Sequence, residues 1–108
     1  MSGNPLCTQT VTLYRQAVTG VKRRVITGCF YTWQREETAE GLEQTRFLLV
    51  LPAGEQVQIG DRVYDGIGPE TVVWERFLPV NTPGLSQVAY VQPCYFRGRL
   101  HHTEAGRK

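Results

Sequence analysis

Residues 8–15 set the first constraint on this chain. Val11 and Leu13 alternate with Thr10, Thr12 and Tyr14, and a period of two is the mark of an extended strand with one buried face. Composition carries the same reading through the rest of the sequence. Val, Thr, Tyr, Phe, Ile and Trp make up 37 of 108 residues, all types that suit a pleated, half-buried surface. Helix formers are thin, with five Ala, two Lys and one Met, whereas 11 Gly and 6 Pro are enough to punctuate a series of short strands.

That punctuation sets the expected order of elements. After the first strand, Gly20 offers a turn, and residues 21–33 read as a second, longer strand forming a hairpin with the first. Gly28 interrupts it and predicts a bulge or a bend at a barrel corner. Residues 34–45 are polar and acidic, and are expected to form a long connecting loop. Residues 46–52 carry the apolar run Phe47-Leu48-Leu49-Val50-Leu51 and read as a strand covered on both faces. Gly60-Asp61 and Asp65-Gly66 bracket a very short strand as turn pairs. Residues 70–78 are compatible with a strand or a single helical turn, and residues 88–96 with a last strand that Pro93 assigns to an edge or a bulge. The expectation is a mostly β chain: a small single-domain antiparallel β-barrel of five to six strands spanning residues 1–108, with a long polar loop. Its ends, 1–7 and 101–108, are expected to be mobile.

The sequence carries few of the residue patterns that chemistry requires. Three cysteines, at 7, 29 and 94, form no Cys-x-x-Cys pair, which fits neither a disulfide framework nor a zinc knuckle and points to a small soluble domain of a reducing compartment. The longest apolar run, residues 47–51, falls far below the ~20 residues of a membrane span. There is no phosphate-binding loop, dinucleotide fingerprint or nucleophile elbow. His101 and His102 are adjacent, so on a regular strand they point to opposite faces, and His102 with Glu104 supplies only two ligands. No enzyme, cofactor or metal is expected.

Charge is more informative than its sum of +2. Residues 1–34 carry +4, residues 35–75 carry −6 and residues 76–108 carry +4, which gives one small domain the means to present faces of opposite sign. Lys22-Arg23-Arg24, with Tyr14, Phe30 or Tyr31 as stacking partners, would suit a barrel that binds single-stranded nucleic acid. The acidic middle opposes the electrostatic footprint such binding needs.

Three features, taken in order, resemble a family of small structural proteins of tailed bacteriophages and prophages, the minor capsid or head–tail connector proteins. The first is Val11-Thr12-Leu13-Tyr14-Arg15 leading through a basic hairpin into Gly28-Cys29-Phe30 and Trp33. The second is Ile59-Gly60-Asp61-Arg62-Val63-Tyr64-Asp65-Gly66, and the third is the ending His102-x-Glu104-x-Gly106-Arg107. The likeness implies a virion part rather than a catalyst: a small barrel that assembles into a ring beneath the portal in the neck of the particle, after synthesis in the host cytoplasm. Portal or adaptor proteins, tail proteins and further copies of the chain would be its partners, with packaged DNA in the channel. A tail terminator or completion protein is the neighbouring alternative. On this reading Glu36, Glu37, Glu40 and Glu43 line the channel and keep DNA phosphates from sticking. Lys22, Arg23, Arg24, Arg97, Arg99, His102 and Arg107 dock onto neighbours in the ring, while Gly28, Gly60, Asp61 and Gly66 serve as structural turns.

Overall fold

The structure is a computed structural model that describes the backbone of residues 8–37, 39, 41 and 43–107, and the side chains of these apart from 35–37 and 43–45. Seven strands succeed one another: β1 (Gln9–Ala17), β2 (Gly20–Glu37), β3 (Glu43–Pro52), β4 (Arg62–Asp65), β5 (Leu85–Gln87), β6 (Tyr90–Phe96) and β7 (Arg99–Arg107). All pairings are antiparallel, in the order β5-β4-β1-β2-β3-β7-β6. Among the described residues there is no helix.

Two stretches of chain turn this sheet into a barrel. Residues 20–29 of β2 pair with β1, whereas residues 30–37 pair with β3. Gly28 sits at that junction with φ 73°; the partner of Gln9 is Cys29 and that of Thr10 is Thr27, so Gly28 is the extra residue of a β-bulge. A left-handed φ costs a glycine nothing, and a bulge bends its strand. The second stretch is residues 85–96. It starts as β5 on β4 and ends as β6 on β7, the two outer positions of the sheet. Between them Val88 exchanges backbone hydrogen bonds with Gly60 and Asp61 (2.9 and 2.8 Å), and Ala89 donates to the Gly106 carbonyl (2.8 Å). One run of chain therefore joins both edges, which is how a small sheet removes most of its exposed backbone.

The barrel interior holds Val11, Leu13, Ile26, Cys29, Tyr31, Phe47, Leu49, Leu51, Val57, Val63, Val88 and Ala105. A second apolar cluster lies on the outside of β1: Tyr14, Phe77 and Leu85, with Val21, Tyr64, Val72 and Trp74 against them. Residues 66–84, which contain no strand, form this cover. Arg62 anchors them. Its buried guanidinium stacks 3.7 Å from the Trp74 ring centroid and donates to the carbonyls of Trp74 and Phe77. The Tyr14 hydroxyl donates to the Pro69 carbonyl (2.6 Å), and Tyr14 meets Phe77 edge to face.

Several expectations are corrected. Among the described residues there are seven strands rather than five or six. The long loop at 34–45 is mostly strand: Gln34 pairs with Arg46, Arg35 with Thr45, Glu36 with Gln44 and Glu37 with Glu43, leaving only residues 38–42 between β2 and β3. A two-stranded ribbon of this kind is carried by backbone pairing, and its polar residues need not alternate with apolar ones. The carboxy-terminal stretch 101–108 is not a mobile tail up to residue 107, because β7 lies between β3 and β6. Its inward residues, Thr103 and Ala105, are small and buried, so no large apolar side chain marks it as a strand. Residues 1–7 and 108 lie outside the described residues. Residues 70–78 take the turn rather than the strand, with Phe77 donating to the Val73 carbonyl (3.0 Å).

Candidate functional site

The β6–β7 hairpin presents the most prominent chemistry on the surface. Phe96 pairs with Arg99, so Arg97 and Gly98 form a two-residue loop. Both have positive φ, 52° and 76°, as the hairpin turn matching strand twist requires. Arginine occupies that left-handed position at a cost that Gly or Asn would largely avoid. Around it Tyr95 is 66% exposed, Phe96 63% and Leu100 36%, and the Arg97 guanidinium lies 5.4 Å from the Phe96 ring centroid. Tyrosine and arginine with adjacent apolar area is the composition of binding hot spots. Cys94 and the residues on either side of it lie on β6, an outer strand of the sheet, where a proline such as Pro93 is tolerated.

On the outer face of the same hairpin, Cys94 pairs with His102 but Tyr95 pairs with Leu100. His101 is thus the extra residue of a second bulge, and the strict alternation expected of adjacent histidines fails there. The two Nδ1 atoms are 2.7 Å apart. His102 Nε2 lies 3.1 Å from Glu104 Oε2, and Cys94 Sγ lies 3.4 Å from the same oxygen. Burial, then the hydrogen bond and the charge of Glu104, push the Cys94 thiol pKa up.

The basic residues of β2 are occupied differently. Arg23 donates to the carbonyls of Gly68 (2.7 Å) and Pro69 (3.0 Å), and Arg24 pairs with Glu55 (3.3 Å) and donates to the Gln56 carbonyl. Arg15 forms a two-pronged bond to the buried carboxylate of Asp61, both contacts 2.9 Å, and that hydrogen bond raises the Arg15 pKa. Asp61 also accepts the Gln58 amide (2.9 Å), closing the turn in which Gly60 has φ 95°; Gly66 has φ 87° at the other end of β4. An open groove of about 380 Å³ between these residues is lined by Leu13, Arg15, Lys22, Arg23, Arg24 and Asp61.

The structure does not gather the proposed docking residues into one patch. Lys22, Arg23 and Arg24 flank the groove, and Arg97 and Arg99 lie at the β6–β7 tip. Arg107 stands at the far end of β7, eight residues and about 27 Å from Arg99 by strand rise. The candidate stacking rings Tyr14 and Tyr31 are buried, and Tyr31 is bonded to Ser86 through its hydroxyl (3.0 Å), so neither offers a face to a base. Of the acidic residues, Glu36, Glu37 and Glu43 are placed in the β2–β3 ribbon by their backbones, their side chains lying outside the described residues together with the whole of Glu40. Register sets the two hairpin ends apart: β3 runs past Arg107 toward residues 38–42, and β7 begins beyond Pro52 at the other end. Sequence reasoning missed Tyr95, Phe96 and Leu100. Their signal was the Arg97-Gly98 turn between two short β-prone runs, hidden when residues 101–108 are taken for a tail.

No family model, curated protein or solved structure matches this chain.

Proposed function

We propose that this chain is a structural protein of a tailed bacteriophage or prophage, a head–tail connector that assembles as a ring under the portal, retains DNA and docks the tail. The observation that carries the reading is the protruding β6–β7 tip. There Tyr95, Phe96 and Leu100 are exposed beside Arg97 and Arg99 on a strained turn, an arrangement that favours assembly over catalysis. The basic β6–β7 tip and the acidic β2–β3 ribbon extend from opposite ends of the shared sheet. Unlike ends of this kind suit head-to-tail contacts between copies, which close into rings. Within such a ring the stretch holding Glu36, Glu37, Glu40 and Glu43 belongs at the channel, where its charge lets DNA phosphates pass without adhering.

Electron microscopy of an induced lysate from a strain lacking this gene tests the reading. DNA-leaking or filled heads beside separate tails of normal length are the expected result. A Tyr95→Ala/Phe96→Ala double variant should give the same particles while remaining folded. Intact infectious virions from the deletion strain would overturn the assignment, and tails of uncontrolled length would move the protein to the tail terminus.

A further inference from the structure

We infer that Cys94, His102 and Glu104 form a divalent metal site of the zinc type on the outer face of the β6–β7 hairpin. The three donor atoms lie within 4.8 Å of one another. Zinc binds thiolate, imidazole and carboxylate at about 2.0–2.3 Å, so two donors on one tetrahedral ion stand about 3.3–3.6 Å apart. The Cys94–Glu104 and His102–Glu104 separations of 3.4 and 3.1 Å already approach that spacing, so small side-chain adjustments suffice to admit the ion.

The backbone supplies a second, independent observation. The bulge at His101 sets Cys94 opposite His102 instead of His101, and bulges re-aim side chains where a regular ladder could not. It also brings His101 Nδ1 to 2.7 Å from His102 Nδ1. That contact leaves His102 Nε2 directed at the cluster and fixes its ring from behind, as the outer partners of metal-bound histidines do. A thiolate with an imidazole selects zinc-like ions over magnesium or calcium. Binding forms the metal–sulfur bond and releases the thiol proton to solvent. Three protein donors leave a fourth position for water or for a donor from another molecule. The inference is independent of the connector reading, since it rests on the hairpin's own side chains.

Cobalt titration of the full chain provides the test. In a Cys7→Ser background the remaining thiols are Cys94 and the core residue Cys29. One equivalent of Co²⁺ should produce a thiolate charge-transfer band and intense tetrahedral visible bands, both displaced by Zn²⁺. Cys94→Ser should abolish the charge-transfer band with an unchanged far-ultraviolet circular dichroism spectrum. His102→Gln should weaken binding at least about tenfold, and His101→Ala, a positioning change, about 10–100-fold. Zn²⁺ should raise the Tm of the parent chain and not that of His102→Gln, because the ion binds the folded hairpin. Absence of cobalt bands, a charge-transfer band that survives Cys94→Ser, or undiminished affinity in His102→Gln would each overturn the site.

Discussion

Strands β1 and β6 have similar side-chain chemistry and opposite fates. β1 buries four consecutive residues, Val11, Thr12, Leu13 and Tyr14. Its odd positions fill the barrel and its even positions lie under residues 66–84. β6 sits at an outer position of the same sheet; its Val91 packs against the core, whereas at its hairpin end Tyr95 and Phe96 remain in solvent. An aromatic residue on a strand is thus a stability element or a contact element according to whether another segment covers its face. Tyr14 belongs to the first kind and Phe96 to the second.

The largest expected effect separates those two rings directly. Tyr14→Ala should lower stability by about 3–5 kcal/mol, and Phe96→Ala should change it by no more than about 0.5 kcal/mol, both measured by urea denaturation. Equal losses would break the comparison. Next comes Arg62→Met, which keeps much of the apolar stem but removes the side-chain donor of the Phe77 carbonyl and leaves the Trp74 carbonyl with the longer bond from the Phe77 amide (3.3 Å). A loss of about 2–3 kcal/mol is expected, together with faster proteolysis within residues 66–84 and none at the β6–β7 tip.

The covered side should also betray itself in alkali. Burial raises the pKa of both Tyr14 and Tyr31 above the ordinary value of 10.0. Above pH 10 the unfolded chain therefore releases these phenolic protons before the folded chain does. Stability is fully present below that pH and falls as pH rises through the folded values. Tyr31→Phe should flatten the alkaline fall, which melting curves between neutral and strongly alkaline pH would read. The smallest effect has the opposite sign. Arg97→Asn relieves the left-handed strain at the tip and should stabilise the chain by up to about 1 kcal/mol, seen as a higher Tm. On the connector reading it also removes a docking charge.

The legible parts of the fold share a physical cause. The hairpin of β1 and β2 shows in the alternation about Val11 and Leu13, and Gly28 announces the bend because few other residues accept its backbone. The apolar run of β3 and the turn pairs around β4 are equally local signals. What escaped was carried by partners distant in sequence. β7 was obscured because its inward residues are small, and the β2–β3 ribbon because neither of its faces needs apolar residues. The metal-type cluster was hidden by a one-residue bulge that shifts the partner of Cys94 from His101 to His102.

By itself, then, the sequence determined an all-β chain with a glycine-made corner, an acidic middle and basic ends, since strand period, turn chemistry and charge are properties of neighbouring residues. The tertiary structure alone decided which faces are covered. Residues 66–84 bury Tyr14 from outside, residues 85–96 join the two edges of the sheet, and β7 brings His102 and Glu104 beside Cys94. Each of these depends on long-range backbone pairing, whose register is set by the barrel closing on itself and not by any local run of the chain.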